Sequence, residues 1–220
     1  MGIISVTQMD ELFWLGRYSE RVYTTLRLFC RRYDMMLDEL VGSYGEFCTM
    51  LEIPNVYTSS EDFKSRYAFD LENPDSIYSN LMRAYDNAIV LREEIGSETL
   101  SYIQLAIYEM NKAVISDAPM IELQRVMDNI LAFWGIADDS MDSENSRNII
   151  KIGKRVERID LYGRLKLPRK EMKREIDRLT GRIDRCSVPY RKDVLKKLNE
   201  LVAETQLDYH AIVQNIEQIV

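Results

Sequence analysis

Two stretches of the chain repeat the same pattern of glycine, glutamate and arginine at the same spacing. The string WLGRYSERVYTTLRL contains Glu20-Arg21 and aligns without a gap with KIGKRVERIDLYGRL, which contains Glu157-Arg158. Steps of three and four residues place each glutamate on one helix face with a glycine and apolar or aromatic residues. A charge on such a face is costly unless an opposite charge pairs with it. This repeat predicts two helices related by a pseudo-two-fold axis, with glutamate and arginine networks between them.

Ten charged residues are candidates for a buried charge network or a ligand site. Most lie in the two repeated stretches, and the others belong to a charged cluster on either side of the Gly96 turn, which is expected to extend the same network. The candidates are Arg17, Glu20, Arg21, Arg27, Arg92, Glu98, Lys154, Glu157, Arg158 and Arg164. For each residue, a buried ion pair that fixes the helix register is the alternative to a direct role in binding.

These residue types are compatible with three kinds of chemistry. Carboxylate di-metal bundles use Glu-x-x-His, but Leu207 stands at the glutamate position before His210, so we expect no metal and no cofactor. Proton transfer by a buried glutamate is possible, although neighbouring arginines keep carboxylates ionised. The arginines also suit an anion pocket, because a guanidinium binds a carboxylate or phosphate through two parallel hydrogen bonds. Whether the protein is an enzyme stays open at this point.

The composition is typical of a globular protein rich in long helices. Of its 220 residues, 46% are hydrophobic and 30% are charged, with only 9 glycines and 5 prolines to interrupt helices. The formal net charge of -7 argues against nucleic-acid binding, which requires clustered Lys and Arg. Residues 151–197 are rich in basic residues, but acidic residues alternate with them. We interpret that segment as an ion-paired, solvated helix surface.

Several sequence features predict a cytoplasmic protein. The first residues lack both a basic region and a continuous apolar region, so no signal peptide is indicated. No apolar run approaches the roughly 20 residues of a membrane helix, and we expect no membrane contact. Cys30, Cys48 and Cys186 are widely spaced and form no Cys-x-x-Cys pair, so we expect reduced thiols and no zinc site.

Apolar residues recur at helical spacing in nearly every segment, which predicts an all-α fold. We expect one domain over residues 1–220, built as an antiparallel helical bundle of about six to seven helices with an internal pseudo-repeat. Residues 43–73 are predicted to form a long connection with one short helix. The seven long helices are predicted from after Thr7 to near Gly42, from Asn73-Pro74 through Ile95, from Ser97 to before Ser116, through Leu123 to Ala137, from about Ser143 to before Pro168, from Arg169 to about Asp184, and after Pro189 through Ile216.

Three ordered sequence blocks resemble the bacterial alpha-E family, whose members have repeated Gly-Arg-x-x-Glu-Arg blocks. The first is Phe13-Trp14-Leu15-Gly16-Arg17-Tyr18-x-Glu20-Arg21, the second spans residues 91–98, and the third spans residues 152–158. The resemblance covers about residues 8–165 and is weaker in the C-terminal helices of residues 168–220. The chain departs from the family pattern at Leu100, where an aromatic residue is usual, and at 148–150, where a tryptophan is usual.

The resemblance implies a genomic setting rather than a reaction, since alpha-E proteins occur beside ATP-grasp ligases and transglutaminase-like proteins. We therefore expect a non-catalytic helical partner protein of a peptide-ligating or peptide-modifying system. Its partner would be an ATP-grasp ligase, a transglutaminase-like protein or a peptide, and an oligomer is possible. The alternative is a ligand-binding or catalytic bundle with a Glu/Arg-lined anion or peptide pocket. An exposed apolar patch would favour the first function, and a cavity lined by both motif copies would favour the second.

Overall fold

The computed structural model describes residues 4–37, 44–186 and 188–220, with side chains omitted for 34–37. These residues form eleven α-helices and no strand, so the all-α prediction is confirmed and the number of six to seven helices is wrong. The helices are α1 (Val6–Leu37), α2 (Tyr44–Leu51), α3 (Ser60–Phe69), α4 (Ile77–Val90), α5 (Arg92–Ile95), α6 (Ser97–Ile115), α7 (Pro119–Ser140), α8 (Glu144–Arg164), α9 (Arg169–Ile183), α10 (Lys192–Ala203) and α11 (Tyr209–Ile216).

Residues 43–73 do not form the predicted long connection, because α2 and α3 lie within them. Three aromatic rings hold these two short helices together, with centroids 5.0 to 5.2 Å apart between Phe47, Phe63 and Tyr67. Aromatic pairs at this spacing stabilise a fold beyond the area they bury. The predicted end of the first helix near Gly42 lies outside the described residues.

The helix predicted from Asn73-Pro74 starts later and is divided. The Asn73 side chain accepts a hydrogen bond from the Asp75 backbone N–H and forms a turn, whereas the Ser76 hydroxyl caps α4 by accepting from the Ser79 N–H. A break at Leu91 then separates α4 from the single turn of α5. Asn73 is therefore a turn residue rather than the predicted N-cap.

The last predicted helix is also divided into α10 and α11. The Asp208 side chain accepts a hydrogen bond from the Ala211 N–H and so caps a new helix. By contrast, the predicted cap before α8 is confirmed, since the Ser143 hydroxyl accepts from the Ser146 N–H. A capping side chain thus decides where each of these helices begins.

The chain divides into two compact units. We call residues 4–17 with 143–220 the terminal unit, and residues 18–142 the central unit; helix α1 contributes to both. In the terminal unit, α8 packs against α9 and α11, whereas in the central unit α6 packs against α7 and α4. The prediction of a single domain remains a prediction. None of the described helices is long and apolar enough to cross a membrane.

Both units have apolar cores. Fully buried residues of the terminal unit are Leu12, Leu15, Ile152, Ile159, Ile176, Leu198 and Ile212, and those of the central unit are Leu26, Phe63, Leu81, Ile103, Ile130 and Phe133. Burial of an aliphatic or aromatic side chain stabilises a fold by about 1.5–3 kcal/mol. These cores give the charged side chains of the candidate site a rigid support.

Candidate functional site

Helices α1 and α8 approach each other at two glycines in the terminal unit. A Cβ atom on Gly16 would lie 3.0 Å from the Ile150 carbonyl carbon, and one on Gly153 would lie 2.9 Å from the Phe13 carbonyl carbon. Because both obstacles are backbone atoms, no side-chain rotation can relieve such an overlap. Glycine is therefore required at both positions for the two helix backbones to meet.

This close approach places Arg17 against the carboxylate of the second motif copy. The Arg17 Nε donates a 2.7 Å hydrogen bond to Glu157 Oε2, and its Nη2 lies 3.9 Å from Asp160 Oδ2. The Glu157 side chain is fully buried, while that of Arg17 keeps 12% of its surface exposed. The guanidinium carbon also lies 5.0 Å from the centroid of the Trp14 ring, within cation-π range. Arg17 is thus fixed by its charge partners and by an aromatic ring.

Asp160 extends this ion-pair network along α8. Its Oδ1 accepts a 2.9 Å hydrogen bond from Arg164 Nε, and Arg164 Nη2 lies 3.0 Å from Glu217 Oε1. Burial raises the pKa of Asp160 above its ordinary value of 3.8, and the negative charge of Glu157 raises it further, although Arg164 and Arg17 oppose both effects. We call Arg17, Glu157, Asp160, Arg164 and Glu217 the motif network.

The first motif copy continues into the central unit. Glu20 is fully buried, as predicted, and its Oε1 accepts a 2.9 Å hydrogen bond from the Thr24 hydroxyl. Arg21 is half-buried, and its carbonyl oxygen accepts from the Thr25 hydroxyl. Arg27 is exposed, so its predicted place in a buried network is wrong. A seven-residue step rotates a helix face by about 20°, and a long arginine side chain readily extends to water.

Two other candidates do not belong to a buried network either. Arg92 and Glu98 are exposed in the central unit, and Arg92 Nε donates a 3.1 Å hydrogen bond to the Ser97 hydroxyl across the Gly96 turn. Lys154 and Arg158 are half-buried on α8 in the terminal unit. Arg92 and Glu98 are therefore surface residues of the central unit, and their predicted place in a buried network is wrong.

A second carboxylate network, which the sequence reasoning missed, lies between α8 and α9. Glu175 is fully buried, and four guanidinium groups surround it. Its Oε2 lies 2.5 Å from Arg155 Nη1 and 3.9 Å from Arg158 Nη1. Its Oε1 lies 3.2 Å both from Arg174 Nε and from Arg178 Nη1. We call these five residues the arginine cluster.

The electrostatics of the arginine cluster are opposite to those of Asp160. Burial tends to raise the pKa of Glu175, but Arg155, Arg158 and Arg178 outweigh it and hold the pKa below the ordinary value of 4.5. Burial lowers the pKa of Arg155, although Glu175 partly offsets this. The Arg155 Nε is also buried without a hydrogen-bond partner among the described residues. Four guanidinium groups therefore share the carboxylate of Glu175, which leaves the buried Arg155 Nε donor unsatisfied within the described part of the chain.

The sequence contains a signal that identifies Glu175. Apolar residues of α9 follow a helical stripe through Met172, Ile176, Leu179 and Ile183, and all four are buried. Glu175 falls on this stripe, directly beside Ile176. A carboxylate on an apolar helix face predicts cationic partners on the neighbouring helix, by the same reasoning that selected Glu157.

Both networks consist of carboxylates paired with guanidinium groups. Among the residues that the structure describes, no group of three His, Cys, Asp or Glu side chains is arranged to hold a metal ion. In the motif network every carboxylate has an arginine partner, which suits a structural role. In the arginine cluster, the half-exposed guanidinium groups of Arg174 and Arg178 suit recognition of an external anion.

Comparison with known proteins agrees with the sequence blocks. A family model described as a predicted alpha-helical domain with a conserved ER motif matches residues 8–167. The chain has Glu-Arg at residues 20–21 and again at 157–158, and both pairs lie within the matched range. No curated protein and no solved structure matches the chain.

Proposed function

Because the chain belongs to the Alpha-E family, we propose that it is a non-catalytic helical partner protein of a peptide-ligating or peptide-modifying system. Its partner is an ATP-grasp ligase, the class of enzyme that the family resemblance implies, and it binds that ligase through an exposed apolar face of α6 in the central unit. A transglutaminase-like protein is the second partner to test.

The observation that carries this proposal is an apolar stripe on the surface of α6. Leu105, Tyr108 and Ile115 are 45%, 59% and 85% exposed, and their spacing of three and seven residues places them on one helix face. On α7, which packs against α6, Ile121 and Leu131 are also exposed. Single exposed apolar residues are ordinary, but a stripe on adjacent helices is typical of a protein-binding surface.

Charged residues of both signs lie beside this stripe. Lys112 lies 3.1 Å from Glu109 and 3.6 Å from Glu122, and Arg125 lies 2.8 Å from Glu122. The ammonium group of Lys112 is also 5.4 Å from the centroid of the Tyr108 ring. An apolar centre with a polar, mixed-charge rim matches the anatomy of protein interfaces. It suits a protein partner better than a nucleic acid, which would need a uniformly basic surface.

We further infer that α1 and α8 carry two copies of one motif and that these copies have a structural role. The gapless alignment pairs Phe13 with Ile150 and Gly16 with Gly153. Gly16 meets the Ile150 carbonyl group, and Gly153 meets the Phe13 carbonyl group. This exchange of partners is the relation that a pseudo-two-fold axis produces. The complete burial of Glu157 supports ion pairing over contact with a substrate.

Binding to a purified ATP-grasp ligase from the same source organism tests the proposal. Biolayer interferometry measures the Kd for the wild-type chain and for a Tyr108→Glu, Ile115→Glu double variant. We expect the double variant to weaken binding about 30-fold or more, because it places charges in the apolar centre of the interface. Circular dichroism checks that the variant keeps its helices.

A matched control separates this surface from a general effect of added charge. Val6 is an apolar residue of the terminal unit and is 76% exposed, so Val6→Glu makes the same chemical change outside the α6 face. We expect its Kd to equal that of the wild type. Equal weakening by Val6→Glu and by the double variant, or a wild-type chain that binds neither the ligase nor the transglutaminase-like protein, would refute the proposal.

A further inference from the structure

The outer face of α9 forms a row of exposed cations in the terminal unit. Lys170, Arg174 and Arg178 are exposed and recur every four residues, so they lie along one side of the helix. Together with Arg169, Lys173 and Asp177, they form an open surface that α9 alone lines. Helix α9 contains six basic and three acidic residues, which makes its local charge opposite to that of the whole chain.

Six basic residues against three acidic ones leave α9 with a positive excess, and one of the acidic residues, Glu171, is half-buried in the first turn. Glu175 is fully buried and shared among four arginines, and Asp177 is paired with Lys173 at 2.9 Å. Arg174 and Arg178 each donate one hydrogen bond to Glu175. Because a guanidinium has five N–H donors, each arginine keeps donors for a ligand at the helix surface. The buried carboxylate thereby orients two exposed arginines without neutralising the row.

The spacing of the row indicates the shape of the anion. A step of four residues along a helix is about 6 Å, so the three cations span about 12 Å. This span exceeds the size of a single phosphate or carboxylate group. In an extended peptide, alternate side chains point to the same side and are about 6.7 Å apart. Three carboxylates at alternate positions of an extended peptide therefore match three cations at every fourth position of a helix.

We propose that the outer face of α9 binds an extended acidic peptide whose carboxylates, at alternate positions, pair with Lys170, Arg174 and Arg178. Bidentate pairing with the two arginines supplies most of the recognition, because their guanidinium planes are held by Glu175. Lys170 adds a point charge at one end of the row. A short acidic segment fits better than a nucleic acid, since the net charge of -7 repels a long polyanion.

Fluorescence polarisation with labelled peptides on the full chain tests this site. The probes are acetyl-ESESE-amide, its uncharged analogue acetyl-QSQSQ-amide, and acetyl-EEESS-amide, which carries the same charge without the alternation. At low ionic strength we expect ESESE to bind about tenfold more tightly than QSQSQ and more tightly than EEESS. Equal binding of ESESE and QSQSQ would overturn the proposal, and equal binding of ESESE and EEESS would overturn the extended arrangement.

Three variants locate the site. Arg174→Gln with Arg178→Gln should weaken ESESE binding about tenfold, and Lys170→Gln, which leaves the contacts of Glu175 intact, about threefold. Lys196→Gln is the matched control, because Lys196 lies on α10 with 80% of its side chain exposed. Equal weakening by Lys170→Gln and Lys196→Gln would contradict the site, as would tighter binding of a ten-nucleotide thymidine strand than of the peptide. This surface and the α6 face belong to different units and are tested by different probes, so either proposal can fail alone.

Discussion

The motif network and the arginine cluster are built from the same residue types but differ in charge balance. In the motif network, the three carboxylates of Glu157, Asp160 and Glu217 contact Arg17 and Arg164, whereas in the arginine cluster one carboxylate, Glu175, contacts four arginines. The pKa of Asp160 is raised and that of Glu175 is lowered, although both side chains are buried. Burial and the negative charge of Glu157 raise the pKa of Asp160, whereas at Glu175 the charges of Arg155, Arg158 and Arg178 outweigh the effect of burial and lower the pKa.

This difference separates two uses of buried charge. In the motif network every carboxylate has an arginine partner, so the network can position helices where two backbones meet at Gly16 and Gly153. A network with a cationic surplus also holds its helices together, but it leaves donors and positive charge at the surface. We therefore propose that the motif network is the structural element and that the arginine cluster is the element that can recognise a ligand.

Removing the charge of Glu175 should have the largest effect. Glu175→Gln leaves four arginines around a neutral amide, and we expect the free energy of unfolding to fall by about 3 kcal/mol because the buried charges lose their partner. Urea denaturation at two salt concentrations measures the effect, and added salt should reduce it by screening the arginines. A loss below about 0.5 kcal/mol, the range of ordinary surface changes, would contradict the charge surplus.

The contact between α1 and α8 should be the next most sensitive feature. Gly153→Ala places a methyl group against the Phe13 carbonyl group, and we expect a loss of about 2 kcal/mol. Gly181→Ala in α9 is the matched control, because no atom lies within 4 Å of its added Cβ. That control should gain about 0.5–1 kcal/mol from helix propensity. Thermal unfolding of both variants gives the comparison, and two shifts of the same sign would refute the close approach.

The two carboxylates should affect acid stability in opposite directions. The lowered pKa of Glu175 means that its stabilising effect is present above pH 4.5 and is lost as the pH falls below it. The raised pKa of Asp160 means that its ionisation destabilises the fold, and acid relieves this cost as the pH falls towards 3.8. In urea titrations from about pH 6 to pH 3, Glu175→Gln should therefore lose less stability than the wild type, and Asp160→Asn more. Parallel curves for all three proteins would contradict the pKa assignments.

At neutral pH, the smallest effect is expected for Asp160→Asn. The asparagine keeps a hydrogen-bond acceptor for Arg164 and removes a charge whose burial is unfavourable, so we expect a change within about 1 kcal/mol. The same urea experiment measures it beside Glu175→Gln. A loss as large as that of Glu175→Gln would show that the two networks do not differ in charge balance.

The positions of most long helices follow from local sequence patterns. The breaks between helices and the short helices depend on contacts that form only in the folded protein. Helices α6 to α9 were predicted because apolar periodicity agrees with proline, glycine and capping residues at their ends. The break between α10 and α11 was missed because Asp208 caps a new helix inside an unbroken apolar stripe. Helices α2 and α3 were missed because their aromatic residues pack together only in the folded protein.

The sequence predicts those residues of the candidate site that recur at the same spacing in both motif copies. The internal sequence repeat identified the buried Glu20 and Glu157 and the pairing partner Arg17. Finding this repeat requires no knowledge of the fold. Glu175 lies outside the sequence repeat. Its arginine partners come from two helices, and only the packing of α9 on α8 brings these arginines to Glu175. The predicted burial of Arg27 failed because helical phase alone does not show how much protein covers a face.

A double-mutant cycle on Arg17 and Glu157 tests most directly the claim that the motif residues are structural. Arg17→Met, Glu157→Met and the double variant are compared with the wild type by urea denaturation. Because Glu157 is fully buried and its carboxylate is hydrogen-bonded at 2.7 Å to the largely buried Arg17, we predict a coupling energy of about 2 kcal/mol, with the double variant much less destabilised than the sum of the single variants. Additive losses, with a coupling energy within about 0.3 kcal/mol of zero, would contradict the structural role of the motif network.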